Sequence, residues 1–273
     1  MSDKPAKDQE WLNDGPADAH WTLMLAHGAG QGMDSPFMAQ ISTALARTGV
    51  RVIRFEFPYM AEMRRTGKRK PPNREPVLRE HWNRVIDRIV ENGTEQRRII
   101  IGGKSMGGRM ASLIADEREV AGLICLGYPF HPPGKPDRLR VAHLTTMGTP
   151  ALICQGTRDP FGTRAEVGGY PLSEAIHLAW MEDGEHSFKP RKRSGRTWEQ
   201  NLEQAAGAIT DFSVSCNPNG LGSKELAGAG FPSQRLPQPS QLARLLPTWF
   251  PHQKLASLPA RAAYSHSASV GRR

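Results

Sequence analysis

Cysteine is scarce in this chain. Its 273 residues hold three, an odd number whose spacing suits neither a disulfide framework nor a zinc site. Cys125 and Cys154 sit inside the apolar runs LICLG and ALICQG, and Cys216 lies well downstream. A reducing compartment fits this usage. Long apolar runs are absent as well. None approaches the ~20 residues that a membrane span needs. The opening MSDKPAKDQEWLNDG has no apolar stretch of the kind that marks a secretory signal. The expectation is a soluble, cytoplasmic protein without a membrane partner. Hydrophobic residues amount to only 38%, low for a fully packed chain of this length, so part of it is expected to lie outside the core.

Acidic residues run short in one place. The formal net charge is +9, and beyond Ser213 seven basic residues face Glu225 alone. The final segment therefore carries two-thirds of the excess. The basic balance belongs mostly to that tail, and nucleic acid is not an expected partner of the folded part.

Against these absences stands a regular alternation. Short apolar runs occur at Thr22–Ala26, Arg51–Phe57, Arg98–Gly102, Ala121–Gly127, Ala151–Gln155 and Ile176–Met181. Most lack the polar alternation of a half-exposed strand, so they read as strands covered on both faces. Helical patterns separate them. Ser35-Pro36 offers an N-cap followed by proline at the first helical position, with Gly49 to close the helix. Leu78, Trp82, Val85, Ile86 and Ile89 form the stripe of a second helix from near Pro76 to Gly93. A third helix starts at GKSMGG and ends near Ala115, and a last one runs over 197–212. Strands alternating with helices predict a doubly wound, mostly parallel α/β sheet. The expected organisation is an N-terminal extension over 1–20, one α/β domain over 21–213, and a Gly/Pro/Ser-rich basic tail over 214–273 that stays disordered.

The strongest chemical signal is Gly103-Lys104-Ser105-Met106-Gly107, a G-x-S-x-G that follows a predicted strand and opens a predicted helix. A nucleophile elbow requires that context, because a tight strand-to-helix turn forces the serine outward at a helix N-terminus. The alternative of a phosphate-binding loop fails. It needs a glycine five positions before its Gly-Lys-Ser, and Arg98 stands there. A serine hydroxyl needs a base, and elbow serines are followed in the chain first by an acid and then by a histidine. His186 follows the last predicted strand, and Asp159 follows the strand before it. Both are expected at the carboxyl edge of the sheet, where open α/β sheets place their ligands. Asp183 is the second candidate for the acid. His131 and His27 precede every acid that follows the fifth strand. Two amides should receive a developing oxyanion. One is that of Met106, and the other belongs to the His27-Gly28-Ala29-Gly30 loop, with Ala29 favoured over Gly28.

At these residues a resemblance becomes specific. LAHGAGQGMDSPFM, RFEFPYM, GGKSMGGRMAS, CLGYPFHPPGKP, QGTRDPFG and EDGEHSFKPRK together resemble the small α/β-hydrolases of the testis-expressed protein thirty type. These are related to the hydrolase-like domain in the third subunit of the NSL chromatin complex and, more distantly, to dienelactone hydrolases. The similarity runs from about Trp21 to Phe212. It implies an α/β-hydrolase fold with a minimal lid, with Ser105, Asp159 and His186 at the triad positions. Gly168-Gly169, which interrupts a short helix, and the tail depart from the pattern.

Two basic clusters accompany the site. Arg64, Arg65, Lys68, Arg69, Lys70 and Arg74 crowd what is expected to be a loop after the second strand, and Lys189, Arg191, Lys192, Arg193 and Arg196 follow His186. They read either as solvated surface or as a means of recognising an anionic group, Arg64 and Arg65 foremost. Tyr128 and Phe130 are expected to wall an acyl pocket. Arg54 and Glu56 are expected to pair with each other. The expected activity is cleavage of an ester or thioester of a small-molecule acyl substrate through an acyl-enzyme, with no metal or organic cofactor. The competing reading is a non-catalytic binding or scaffold module on the same fold.

Overall fold

The computed structural model describes residues 11–216. Seven strands form one sheet, in the order β1 (Trp11–Asp14), β3 (Arg51–Phe55), β2 (Thr22–Ala26), β4 (Ile99–Lys104), β5 (Gly122–Leu126), β6 (Ala151–Gly156) and β7 (Ile176–Met181). All neighbouring pairs are parallel except β1 with β3. The six strands read from the sequence lie where expected, within a few residues at their ends.

The strands are apolar throughout because both faces are covered. On one face α1 (Pro36–Arg47) and α7 (Trp198–Ser215) pack against Leu23, Leu25, Val52, Ile100 and Ile124. On the other, α3 (Glu75–Glu91) and α4 (Met106–Ser112) cover Met24, Ile53, Ile101, Leu123 and Ile153. Successive side chains on each strand thus serve opposite cores. Ser35 caps α1, accepting from the Met38 amide. Five residues of α3 are buried, and they are the five of the predicted stripe. The predicted third helix breaks after Ser112 and resumes as α5 (Ala115–Arg118). The short α6 (Arg164–Val167) stops at Gly168. Between β5 and β6 the only regular element is a single 3-10 turn at Ala142–Thr145, so the carboxyl edge carries no helical lid there.

Two elements were not anticipated. The segment after β3 is not a loop at first: Pro58–Thr66 forms α2, which begins on proline and ends on left-handed Gly67. And β1 lies inside the expected N-terminal extension. It is held by its ladder to β3 and by Asp14, which accepts from Arg54 Nε at 3.0 Å and Nη2 at 2.8 Å. Four residues with one apolar position on each side of the strand give too short a pattern to read. The expected tail, from residue 217 onward, lies outside the described residues. Among the described residues no helix is long and apolar enough to cross a membrane.

Candidate active site

β2 pairs with β3 on one side and β4 on the other, so the chain reverses its direction of winding between β2 and β4. The crevice above such a reversal is where open α/β sheets bind ligands. The His27–Gly30 loop leaves β2 there, and Ser105 leaves β4 beside it.

Ser105 sits between β4 and α4 at φ 51° and ψ −113°, on the left-handed side of the map that a side chain rarely adopts. Its neighbours must be small. A Cβ on Gly107 would lie 2.4 Å from the Ala26 carbonyl oxygen, and one on Gly103 would meet the same oxygen at 2.4 Å. The Ser105 amide is tied to the Leu126 carbonyl at 3.0 Å. The turn is thereby locked with the hydroxyl outward.

The hydroxyl meets the predicted base. Ser105 Oγ lies 2.8 Å from His186 Nε2, and His186 Nδ1 lies 2.8 Å from Asp159 Oδ2. Asp159 is fully buried, and burial does not leave its carboxylate unpartnered. Oδ1 accepts from the Phe161 amide at 2.9 Å, and Oδ2 accepts also from Gln155 Nε2 at 3.0 Å. Burial pushes the His186 pKa below the ordinary histidine value, the Asp159 hydrogen bond opposes that shift, and the nearby Lys104 charge lowers it further. The neutral ring with its proton on Nδ1 is the form that can accept from a serine.

Asp183 does not share this site. It accepts from the Arg191 amide at 2.7 Å and Arg191 Nε at 2.8 Å, and pairs with Arg158 at 2.9 Å. Arg191 holds its carboxyl down to about 2. Its role is to fold the loop that carries His186. A second serine–histidine contact exists on the far end of α4, where Ser112 Oγ lies 2.8 Å from His143 Nε2. Ser112 is buried and donates to the Arg109 carbonyl at 2.8 Å. No carboxylate bonds His143 among the described residues. That pair is therefore a capped core contact, without the acid and the exposed hydroxyl that nucleophilic chemistry needs.

Of the expected oxyanion donors, the Met106 amide opens α4 and has no carbonyl of its own helix to bond. Gly28 borders the serine: a Cβ built on it would lie 3.7 Å from Ser105 Cβ. Ala29, next along, is exposed. His27 is buried below this loop, with Nε2 accepting from the Phe57 amide at 3.1 Å. Its proton is therefore on Nδ1, which donates to the Gly28 carbonyl at 2.6 Å. Burial lowers its pKa and keeps it neutral.

The expected substrate contacts fare differently. Tyr128 and Phe130 are fully buried in the core beneath the site, with the Tyr128 hydroxyl donating to the Arg140 carbonyl at 2.9 Å, so neither offers surface to a pocket. Arg64 is engaged by two carboxylates. Its Nε donates to Glu56 at 2.9 Å and its Nη2 to Asp34 at 2.8 Å. Such a doubly bridged guanidinium is structural. Arg65 is exposed on the last turn of α2. Arg54 and Glu56 do not pair with each other. Arg54 donates to the Met33 carbonyl at 2.8 Å and Glu56 accepts from the Met33 amide at 3.3 Å, so both brace one peptide segment.

The chain belongs to the alpha/beta hydrolase domain family. The family pattern matches residues 19–214. Among solved structures, an α/β serine hydrolase from Xanthomonas campestris described as lacking a lid superposes with a TM-score of 0.58 at 19% identity, covering 76% of this chain and 89% of that one. An α/β serine hydrolase homologue from Coxiella burnetii gives 0.56 at 19% identity, covering 75% and 89%. A dienelactone hydrolase from Anabaena variabilis gives 0.57 at 19% identity, covering 75% and 90%. At these identities the likeness is one of fold.

Within this alpha/beta hydrolase domain, four residues around Ser105, His186 and Asp159 went unread in the sequence. Gln155 bridges strands by accepting from the Tyr128 amide at 2.7 Å while it donates to Asp159. The signal was present: a lone amide at the end of an otherwise apolar strand. Phe161 stacks on the His186 ring with centroids 4.2 Å apart. Asn201, fully buried on α7, donates to the Phe188 carbonyl at 2.7 Å and the Glu182 carbonyl at 3.1 Å, and so ties the histidine loop to the helix. The fourth is Lys104.

Proposed function

We propose that the protein is a serine hydrolase that cleaves a carboxylic ester or thioester through an acyl-enzyme. The observation that carries the reading is the continuous chain of contacts from Ser105 Oγ to His186 Nε2 and from His186 Nδ1 to Asp159, each 2.8 Å long. In this reading Ser105 Oγ attacks the acyl carbon while its proton passes to His186 Nε2. The amides of Met106 and of Ala29 or Gly28 receive the oxyanion, each worth about 3 kcal/mol of barrier. His186 then gives its proton to the leaving oxygen or sulfur. Water, deprotonated by the same imidazole, releases the acid and restores the serine. Asp159 holds the ring's tautomer and stabilises the imidazolium without taking the proton.

Dienelactone hydrolase and lidless serine hydrolase relatives in fold support a small, accessible acyl substrate. An open carboxyl edge favours the same size class. The testis-expressed protein thirty group is the nearest reading of the sequence motifs within the broader family. Anion recognition, if it operates at this site, falls to Arg65 and the exposed Lys68 and Arg69 rather than to Arg64.

A fluorophosphonate probe tests the proposal. The wild-type chain should be labelled at Ser105, and Ser105→Ala should lose all labelling. Turnover of short p-nitrophenyl esters should fall by on the order of 10⁶ in the same variant. A folded wild type that resists the probe at every pH would leave the scaffold reading in its place.

A further inference from the structure

The second position of the elbow motif holds a lysine, and its side chain does not reach solvent. Lys104 is 8% exposed, at the end of β4, one residue before Ser105. Its Nζ donates to the His186 main-chain carbonyl at 2.7 Å and lies 5.4 Å from the centre of the Phe37 ring on α1. The passage it uses exists because residue 127 is glycine, at φ 68°. A Cβ there would stand 2.7 Å from the His186 oxygen and 3.0 Å from Lys104 Nζ.

Burying an ammonium beside Phe37 and strand residues is costly. A methionine or leucine would fill the same space without that cost. What the lysine adds is a directed donor and a positive charge. The donor joins the strand that carries the nucleophile to the loop that carries the base. The charge stands at the main chain of His186, close enough to lower the proton affinity of its ring.

We propose that Lys104 is a positioning residue of the hydrolytic site, clamping the His186 main chain to the nucleophile strand and holding a positive charge near its ring. The inference rests on Ser105, His186 and Asp159 acting as the triad. The charged groups that bear on His186 are Asp159 from the loop after β6, Glu185 from its own loop and Lys104 from β4. The two carboxylates favour the imidazolium, and Lys104 disfavours it. Lys104 itself is drawn down to about 8 by burial, against the pull of Asp159 and Glu185. It is therefore still charged at the neutral pH where the imidazole must be a free base. The clamp acts on geometry, and the charge acts on the proton affinity of the base.

The two contributions separate in the full chain with three variants. Lys104→Met removes both, Lys104→Gln keeps a donor without the charge, and Lys104→Arg keeps the charge. The direct readout is the NMR titration midpoint of the His186 ring, which needs no turnover. Removal of a cation at this range should raise that midpoint by about one unit in Met and Gln, and leave it within a few tenths in Arg. Fluorophosphonate labelling of Ser105 should then fall by about three- to sixfold more at pH 6 than at pH 8 in the Met and Gln variants. An unchanged or lowered midpoint in either neutral variant overturns the proposal, as does an Arg variant that shifts as far as Met. Should Lys104→Met not fold, Lys104→Gln decides by the same measure. A wild type that never labels overturns the hydrolase reading instead, and the NMR midpoints still report whether Lys104 acts on His186.

Discussion

Tyr59 donates its hydroxyl hydrogen to the Ala29 carbonyl at 2.9 Å and lies 3.3 Å from the Gly28 carbonyl oxygen. A trans peptide points its N–H opposite to its C=O. Holding the Gly28 carbonyl inward therefore turns the Ala29 amide away from Tyr59, which leaves it available for the oxyanion role proposed above. Burial raises the tyrosine pKa, so it remains a donor across the working pH range. Tyr59→Phe should lower kcat about tenfold, a fraction of the loss expected for a missing oxyanion donor, with KM changed less than about twofold. Steady-state kinetics on p-nitrophenyl acetate measures both. An unaltered kcat would mean that His27 alone orients the loop.

Asp159→Asn should leave the fold intact and cut kcat by roughly 10⁴, because an amide favours the wrong histidine tautomer. Asp183→Asn should behave oppositely. It loosens Arg191 and Arg158 and lowers the melting temperature while kcat stays within about tenfold of wild type. Thermal melts and kinetics on the two variants side by side would expose an exchange of roles between the carboxylates.

The pH dependence follows from His186. Its pKa is lowered, so the ring stays a neutral base below the ordinary midpoint of about 6.5. Activity should be complete at neutral pH and fall only as pH drops through the lowered value, giving an acid limb of kcat/KM centred below 6.5. The sign for stability is the same. His27 and His186 both have depressed folded-state values, so the stability they contribute is present above the unfolded value and lost as pH falls. An acid limb centred at or above 7 would contradict the burial argument.

Arg64→Ala should act on stability and not on substrate affinity. Glu56 has only 4% of its side chain exposed and would lose its main cation, a loss of about 2–3 kcal/mol for a largely buried pair. KM for anionic and neutral esters should be equally unaffected. A selective rise in KM for the anionic ester would return Arg64 to the substrate site.

The sheet's edge offers a separate check. A chain beginning at residue 21 lacks β1 and leaves Arg54, 8% exposed in its side chain, without Asp14. It should melt several degrees below the full chain. Asp14→Ala should show part of the same loss.

Much of this fold was legible because parallel strands buried on both faces write themselves as uninterrupted apolar runs, and because Ser35-Pro36 and Gly49 punctuate a helix in the usual way. The meeting of Ser105, His186 and Asp159 was legible because chain order along a wound sheet fixes which loops meet at the carboxyl edge. What escaped depends on side-chain reach. Lys104 reads only as the second residue of the elbow motif, and its burial uses the gap at Gly127. Arg64 looked like one of a basic run, but α2 turns it back onto Asp34 and Glu56. Tyr128 and Phe130 follow a strand, yet their chain dips under the site rather than around it. Ion-pair geometry of this kind is set by the third dimension, and composition does not carry it.

The backbone at Ser105 has a consequence for how the chain came to keep this residue. At φ 51° and ψ −113° a serine bears strain of about 1–3 kcal/mol. Glycine would adopt the same angles freely, at about 0.5–1 kcal/mol of added chain entropy. Ser105→Gly should therefore melt at or above the wild-type temperature while it labels not at all. The position is one at which the fold gains from surrendering its side chain, so a molecule retained only as a platform for partners would have every reason to let the hydroxyl go.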